Sequence, residues 1–420
     1  MVLKLAFKLK KYSLIKEYDM DSKSNFVRDL PRRKFLERNI KGGIAIAAAP
    51  ALLGTLLSRS GSEMVRTQLS VDPQILDKTI SNKFSRVELA HLPTPLEELN
   101  VLSSELNGPK LYIKRDDQTG LAFGGNKARK LEFIIADVIN KKADVIITSA
   151  GIQSNWCRQT AAAAKMFGIE PILVLSKKDE APVSIYDGNL LLDFILGADI
   201  RLVNPGENRT EIVDQITEAE MEKGHNPYII PVGGSRVGGS MMEPLGAIAY
   251  TKAFLEIYSE AQKRKIKIDY VVHATGSGGT QAGLVVGAKA LGADIKIIGI
   301  SVSGAKAPAQ RNVSNIANNI AEVLDLEVTF SPEDVIVFDD YVGEGYGILN
   351  QETVDAISLL ARKEGIILDP VYTGKAMSGL VDLIKKGYFD KDDGVVFIHT
   401  GGTPALFAYK EELMEFLKKR

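Results

Sequence analysis

Tyr270-Val271-Val272-His273-Ala274-Thr275 runs directly into Gly276-Ser277-Gly278-Gly279-Thr280 and on into Gln281-Ala282-Gly283-Leu284. The first five residues read as a buried strand and residues 280–291 as a helix, with little but a glycine/serine turn between them. Such a turn exposes consecutive backbone N–H groups and two hydroxyls, with a helix dipole behind them, and so suits a phosphate. A tight structural turn is the plainer alternative. No acidic residue ends a neighbouring strand some 20 residues on, as a dinucleotide fold requires, and no Lys-Ser/Thr follows the glycines, as a P-loop requires.

The same strand-to-helix succession repeats outward from this stretch. Strands are expected at 110–114, 144–148, 171–175, 199–203, 228–231, 270–274, 296–300 and 394–399. Helices are expected at 126–140, 154–167, 189–196, 210–223, 243–261, 280–291, 309–324 and 350–364, with one more at the C-terminus. Continuously apolar strands that alternate with helices imply parallel sheets covered on both faces. The expected class is α/β: two open, twisted, mostly parallel sheets flanked by helices, with ligands in a cleft between domains at the strands' C-terminal ends. The glycine cluster Val232–Ser240 reads as the hinge. The expected division is a leader and linker at 1–70, a large cofactor-binding domain from 71–125 plus 241–420, and a small domain at 126–240.

Three further segments fall at strand ends. In Gly124-Gly125-Asn126-Lys127-Ala128-Arg129-Lys130, Lys127 starts a helix, where backbone amides and the dipole favour an anion. A lysine there is awkward unless its amine is neutral or tied up covalently; on this segment alone it could equally be a solvated surface lysine. A phosphate cup without nucleotide motifs, beside a poised lysine, points to pyridoxal 5′-phosphate. In Gly151-Ile152-Gln153-Ser154-Asn155, the hydroxyl, the amides and the free helix-end N–H groups suit a substrate carboxylate, with a simple N-cap as the alternative. Tyr346 and Tyr372 lie beside glycines in expected loops, where a polar-tipped aromatic has a use besides packing.

Together these segments resemble one family. LPTPLE (92–97), KRDD (114–117), GGNKARKLE (124–132), GIQSN (151–155), GSGGTQAG (276–283), GYG (345–347), LDPVYTGKAM (368–377) and HTGGTPALF (399–407) are its hallmarks. They are similar to those of the D-cysteine desulfhydrase and 1-aminocyclopropane-1-carboxylate (ACC) deaminase family, fold-type II pyridoxal-phosphate enzymes akin to the tryptophan synthase β chain. The resemblance implies that Lys127 carries the cofactor as a Schiff base, while Gly276, Ser277, Gly278, Gly279, Thr280 and Lys130 hold its phosphate. It implies that Asn155 meets the cofactor's 3′-oxygen, that Ser154 contacts the substrate carboxylate and assists proton transfer, and that Tyr346 and Tyr372 flank the substrate. Thr373 and Thr400 stand where ACC deaminases carry Glu and Leu, which is the desulfhydrase pattern. A neutral hydroxyl beside the pyridine nitrogen makes a milder electron sink than a glutamate does. Trp156-Cys157 depart from the usual pattern after Asn155.

The implied activity is β-elimination on D-cysteine to hydrogen sulfide, pyruvate and ammonia, by a homodimer. The rivals are ACC deamination, a lyase for L-cysteate or another β-substituted amino acid, and an amino-acid binding protein on a degenerate scaffold. An intact Lys127 argues against the last. A single cysteine, Cys157, and four histidines give no Cys/His metal site.

Charge divides the chain. Met1–Lys41 holds 12 basic and 5 acidic residues, which leaves 40 basic and 48 acidic in Gly42–Arg420. An acidic body gives no footprint for nucleic acid. Arg32-Arg33-Lys34-Phe35-Leu36, followed by the uncharged, alanine-rich Gly42–Ser58, resembles a twin-arginine export signal and implies a bacterial periplasmic location. An uncleaved N-terminal anchor, the only route to a membrane, is the alternative.

Overall fold

The computed structural model describes residues 70–180, 183 and 186–419. Residues 1–69 of the expected leader lie outside the described residues. Two sheets form. The larger takes β1 (Leu96–Glu98), β2 (Lys110–Lys114), β7 (Tyr270–Thr275), β8 (Lys296–Ser301), β9 (Ile336–Phe338) and β10 (Gly394–Ile398), in spatial order β1-β2-β10-β7-β8-β9. Only its β1–β2 pairing is antiparallel. The smaller takes β3 (Val145–Gly151), β4 (Glu170–Ser176), β5 (Asp199–Val203) and β6 (Pro227–Ile230), all parallel, in order β5-β4-β3-β6.

The helices are α1 (Pro73–Lys83), α2 (Asn100–Leu106), α3 (Lys127–Asn140), α4 (Asn155–Met166), α5 (Gly188–Ile195), α6 (Arg209–Glu222) and α7 (Leu245–Arg264). They continue with α8 (Gly279–Ala290), α9 (Lys306–Val323), α10 (Gln351–Glu364), α11 (Thr373–Lys385), α12 (Ala405–Ala408) and α13 (Lys410–Lys418). Among the described residues, no helix is long and apolar enough to cross a membrane.

Side-chain alternation assigns each sheet face its cover. On β10, Val395 and Phe397 pack with α10 and α11, whereas Val396 and Ile398 share a cluster with α7, α8 and α9. In the smaller sheet, Val145, Ile147, Ile172 and Val174 meet α6, while Ile146, Leu173 and Tyr228 face α3 and α4. The cluster containing α3 and α4 is continuous with that of α7 and α8, so one core runs from the small sheet to the large one. Close approach inside it needs small residues. A Cβ on Gly283 of α8 would lie 2.2 Å from the Ala247 carbonyl oxygen of α7.

Within the glycine cluster after β6, Gly233, Gly234 and Ser235 are buried and Gly234 lies against Ile134 and Trp156, whereas Val232, Arg236, Val237 and Gly239 are exposed. Residues 373–385, for which the sequence reading assigns no element, form α11. Pro370 and Gly374 read as loop punctuation, but the Asp369 carboxylate accepts from the backbone N–H groups of Val371, Tyr372 and Thr373 and satisfies the helix start.

A buried ionic cluster ties the start of α3 to β2 and α7. The Asp116 carboxylate accepts from Arg129 Nη2 at 2.8 Å, Thr94 Oγ1 at 2.9 Å and the Tyr250 hydroxyl at 2.5 Å. Glu256 bonds Arg129 Nη1 at 2.8 Å and Lys114 Nζ at 2.5 Å. Burial raises the Glu256 carboxyl, but Arg129 and Lys114 outweigh it and hold the pKa at about 2. Removing one partner strands a buried charge. Asp116→Ala is expected to cost ~3–5 kcal/mol in urea unfolding, and a loss below ~1 kcal/mol would show the cluster to be dispensable.

Candidate active site

A cleft opens where β7 and β10 end and where α3, α4 and α8 begin. Lys127, Asn126, Asn155, the turn Gly276–Gly278, Thr280, Tyr372, Thr400 and Gly401 line it. Lys127 is the first residue of α3, and the chain reaches it through Gly124 and Gly125, both at positive φ. Only glycine fits at 124, since a Cβ would stand 2.0 Å from the Asp117 carbonyl oxygen. Among the described residues, Lys127 Nζ has no hydrogen-bond or ion-pair partner. Desolvation lowers its pKa to about 8, and the helix dipole acts in the same direction.

Opposite it lies the glycine turn. Gly278, at φ +83°, caps α8, so the first amides of that helix have no acceptor within it. A second layer braces the turn: Asn312 Nδ2 donates to the Ser277 carbonyl at 3.1 Å, and the Ser277 and Ser235 hydroxyls lie 2.8 Å apart. Lys130, expected on the phosphate, is wholly buried behind this layer. Its Nζ donates to Ser235 Oγ at 3.0 Å, and its pKa is lowered by burial and by Lys127. It therefore reaches the turn through Ser235 and Ser277. Asn126 Nδ2 donates to Thr280 Oγ1 at 3.2 Å, which joins the residue before Lys127 to the phosphate-type loop.

The Gly151–Asn155 turn ends at α4. Asn155 Oδ1 accepts from Asn189 Nδ2 at 2.9 Å and Arg158 Nη1 at 3.2 Å, so its own Nδ2 is the group left to face the cleft. Ser154 is the N-cap, its Oγ accepting from Cys157 N at 3.1 Å, and its hydroxyl proton stays available. The Gln153 side chain, expected at a substrate carboxylate, is not among the residues lining the cleft: its Oε1 accepts from Asn189 N at 2.9 Å and its Nε2 donates to the Asp187 carbonyl at 3.0 Å. Trp156 and Cys157 are buried, with the indole N–H donating to Thr148 Oγ1 at 2.8 Å, and neither is among the residues lining the cleft.

Tyr346 and Tyr372 meet, their hydroxyls 2.5 Å apart and their rings edge-on. Burial raises both pKa values, and for Tyr372 the neighbouring Tyr346 adds to the rise. Thr400 lines the cleft as expected. Thr373 does not: wholly buried, its hydroxyl donates to Asp369 Oδ1 at 2.6 Å and accepts from Asp369 N at 2.8 Å, which exhausts it as a cleft donor.

Sequence reading missed Asn126, Arg158, Ser235, Asn312 and Asp369. Asn126 adjoins Lys127 and could have been suspected. The others act through side chains that only the fold brings near the cleft. Arg158, fully buried, also donates to Asn189 Oδ1 at 2.6 Å and to the Gly124 carbonyl at 2.9 Å, and so joins three site segments.

A family model described as pyridoxal-phosphate dependent enzyme matches residues 87–401. The chain is 42% identical over 333 residues to the D-cysteine desulfhydrase of Klebsiella pneumoniae (strain 342), covering 79% of this chain and 98% of that protein. The crystal structure of an ACC deaminase homologue superposes with a TM-score of 0.72 at 38% identity, covering 81% of this chain and 98% of that one. The processed form of threonine deaminase isoform 2 from Solanum lycopersicum shares the fold, with a TM-score of 0.57 at 17% identity over 90% of this chain and all of that one.

The cleft environment predicts how Lys127 titrates. In protein without added ligand, its acylation by acetic anhydride should show a midpoint near pH 8. Exposed lysines should give midpoints near ~10.4. A Lys127 midpoint indistinguishable from theirs, read by peptide mass spectrometry, would remove the desolvated amine.

Proposed function

The chain belongs to the pyridoxal-phosphate dependent enzyme family, and from that premise we propose that it is a carbon–sulfur lyase converting D-cysteine to hydrogen sulfide, pyruvate and ammonia. The observation that carries this reading is the Lys127 amine, desolvated and unpartnered in a cleft among neutral donors.

The donor set fits pyridoxal phosphate. Lys127 is the amine that would hold its aldehyde carbon. The unsatisfied amides of the 276–280 turn, with the Thr280 hydroxyl, suit its phosphate. The outward Asn155 Nδ2 suits its phenolic oxygen. When bound, pyridoxal phosphate supplies an electron sink that stabilises the charge left at the substrate Cα.

The chain's own residues supply the rest. Lys127 Nζ is half neutral near pH 8 and takes the Cα proton. The α4 N-terminus, with Ser154 as its cap, offers N–H groups to the substrate carboxylate. The two tyrosines stay protonated at neutral pH. In their hydroxyl pair one proton bridges the two oxygens, and the other is available to the departing sulfur. The C–S bond breaks, the sulfur leaves as hydrogen sulfide, and water hydrolyses the remaining enamine to pyruvate and ammonia. Thr400 leaves the cleft wall neutral, which suits a good leaving group on the β-carbon.

We further propose that the basic N-terminal segment, with Arg32-Arg33, is a twin-arginine-type export address and that the enzyme works as a homodimer. Pyridoxal phosphate is loaded where it is made, and a route for folded proteins is compatible with that order of events.

Sulfide and pyruvate release, measured over D-cysteine, L-cysteine and ACC, tests the activity. D-cysteine should be preferred, and Lys127→Ala should reduce turnover at least ~10²-fold. Ammonia from ACC without sulfide from D-cysteine would overturn the substrate. For the address, changing Arg32 and Arg33 together to Lys should hold the protein in the cytoplasmic fraction of a host with that pathway. Unaltered periplasmic recovery would refute it.

A further inference from the structure

A second buried lysine stands outside the chemistry described so far. Lys375 lies in the first turn of α11, fully buried, where a cation opposes the helix dipole. Among the described residues it has no carboxylate partner. Its Nζ donates to two backbone carbonyls, Val342 at 2.6 Å and Gly345 at 2.7 Å. Both belong to the segment between β9 and α10, and Gly345 immediately precedes Tyr346.

That segment has little means of holding its own shape. Gly343, Gly345 and Gly347 all sit at positive φ. Two long backbone bonds close turns within it, Val342 N to Asp339 O and Ile348 N to Gly345 O, each 3.3 Å. Side chains from elsewhere grip its carbonyls instead. Tyr409 Oη and Lys178 Nζ each donate to the Gly347 oxygen at 3.1 Å, downstream of Tyr346. On the upstream side Lys375 grips the carbonyls, the Tyr341 hydroxyl donates to Asp382 of α11 at 2.6 Å, and Lys306 N donates to the Asp339 carboxylate at 2.7 Å. Tyr346 is 43% exposed, and among the described residues its hydroxyl bonds only Tyr372. Tyr372 immediately precedes α11, whose opening turn is Thr373-Gly374-Lys375.

We propose that Lys375 is a positioning residue. Its ammonium, anchored in the first turn of the helix that Tyr372 precedes, holds the 342–345 backbone so that the Tyr346 hydroxyl meets the Tyr372 hydroxyl. The buried charge serves this purpose better than a neutral side chain: an ammonium grips two carbonyls at once through charge-assisted bonds, which are shorter and stronger than neutral ones. A neighbouring carboxylate would compete for those protons, and none is bonded to it. The inference rests on the reading that the tyrosine pair assists the departure of sulfur.

Two measurements test it. Hydrogen exchange on unloaded protein should show peptides across 339–350 exchanging at least ~10-fold faster in Lys375→Met, with α7 and α8 unchanged. Unchanged exchange in 339–350 would overturn the grip. On loaded enzyme, Lys375→Met should lower kcat for sulfide release by roughly 10–100-fold, the cost of a displaced catalytic group. In a Tyr346→Phe background the same change should cost less than ~2-fold more, because the hydroxyl it places is already gone. Losses that multiply would assign Lys375 to general stability and overturn the proposal. If Lys375→Met yields no folded protein, Lys375→Gln, which keeps a shorter neutral donor, takes its place in both measurements with the same criteria. A wild type that releases no sulfide from D-cysteine refutes the substrate reading, and the exchange result still decides the grip.

Discussion

A positive charge at Lys127 is held less firmly than on a lysine in water, and much of the molecule is arranged around that amine. The residue opens α3, so the helix dipole opposes an ammonium, and the cleft removes the water that would solvate one. No carboxylate lines the cleft among the described residues to restore the proton. The cleft instead presents Asn126, Asn155, Thr280 and Thr400, which are neutral and can donate. An amine with pKa about 8 in such surroundings is both nucleophile and base near neutral pH.

Neutral donors are useful only when they point one way, and here a deeper layer sets the direction. Asn155 turns its Nδ2 outward because Arg158 and Asn189 occupy its oxygen. The glycine turn is held from behind by Asn312 and by the Ser235–Ser277 pair, with Lys130 beneath. Asp369 collects three backbone amides and the Thr373 hydroxyl, and in doing so places Tyr372 at the mouth of α11. Buried polar groups that are satisfied in this way rigidify a site, whereas half-satisfied ones loosen it.

Much of this was legible in the residues. The parallel strands and their helices follow from apolar runs of strand length set between amphipathic or alanine-rich stretches, and the boundaries of β2 and β5 coincide with those expected. Lys127, Asn155 and the 276–280 turn were also readable, because glycines at strand ends mark where a backbone must approach something closely. Illegible parts share a cause. Helix α11 was hidden by Pro370 and Gly374, whose loop character Asp369 overrules. Gln153 and Thr373 have the right chemistry for ligands, yet neighbours 36 and 4 residues away consume their polar atoms.

The sequence by itself therefore determined the class of fold, the amine we assign to the chemistry and the loop that suits a phosphate, since each depends on local spacing and backbone geometry. The tertiary structure alone decided which polar side chains remain free to act. A hydroxyl or amide is indifferent to its role until its hydrogen bonds are counted. Those of Asn155, Lys130 and Lys375 are settled in large part by groups that lie far along the chain and come together only in the packed core, and those of Thr373 by Asp369 as it caps the start of α11.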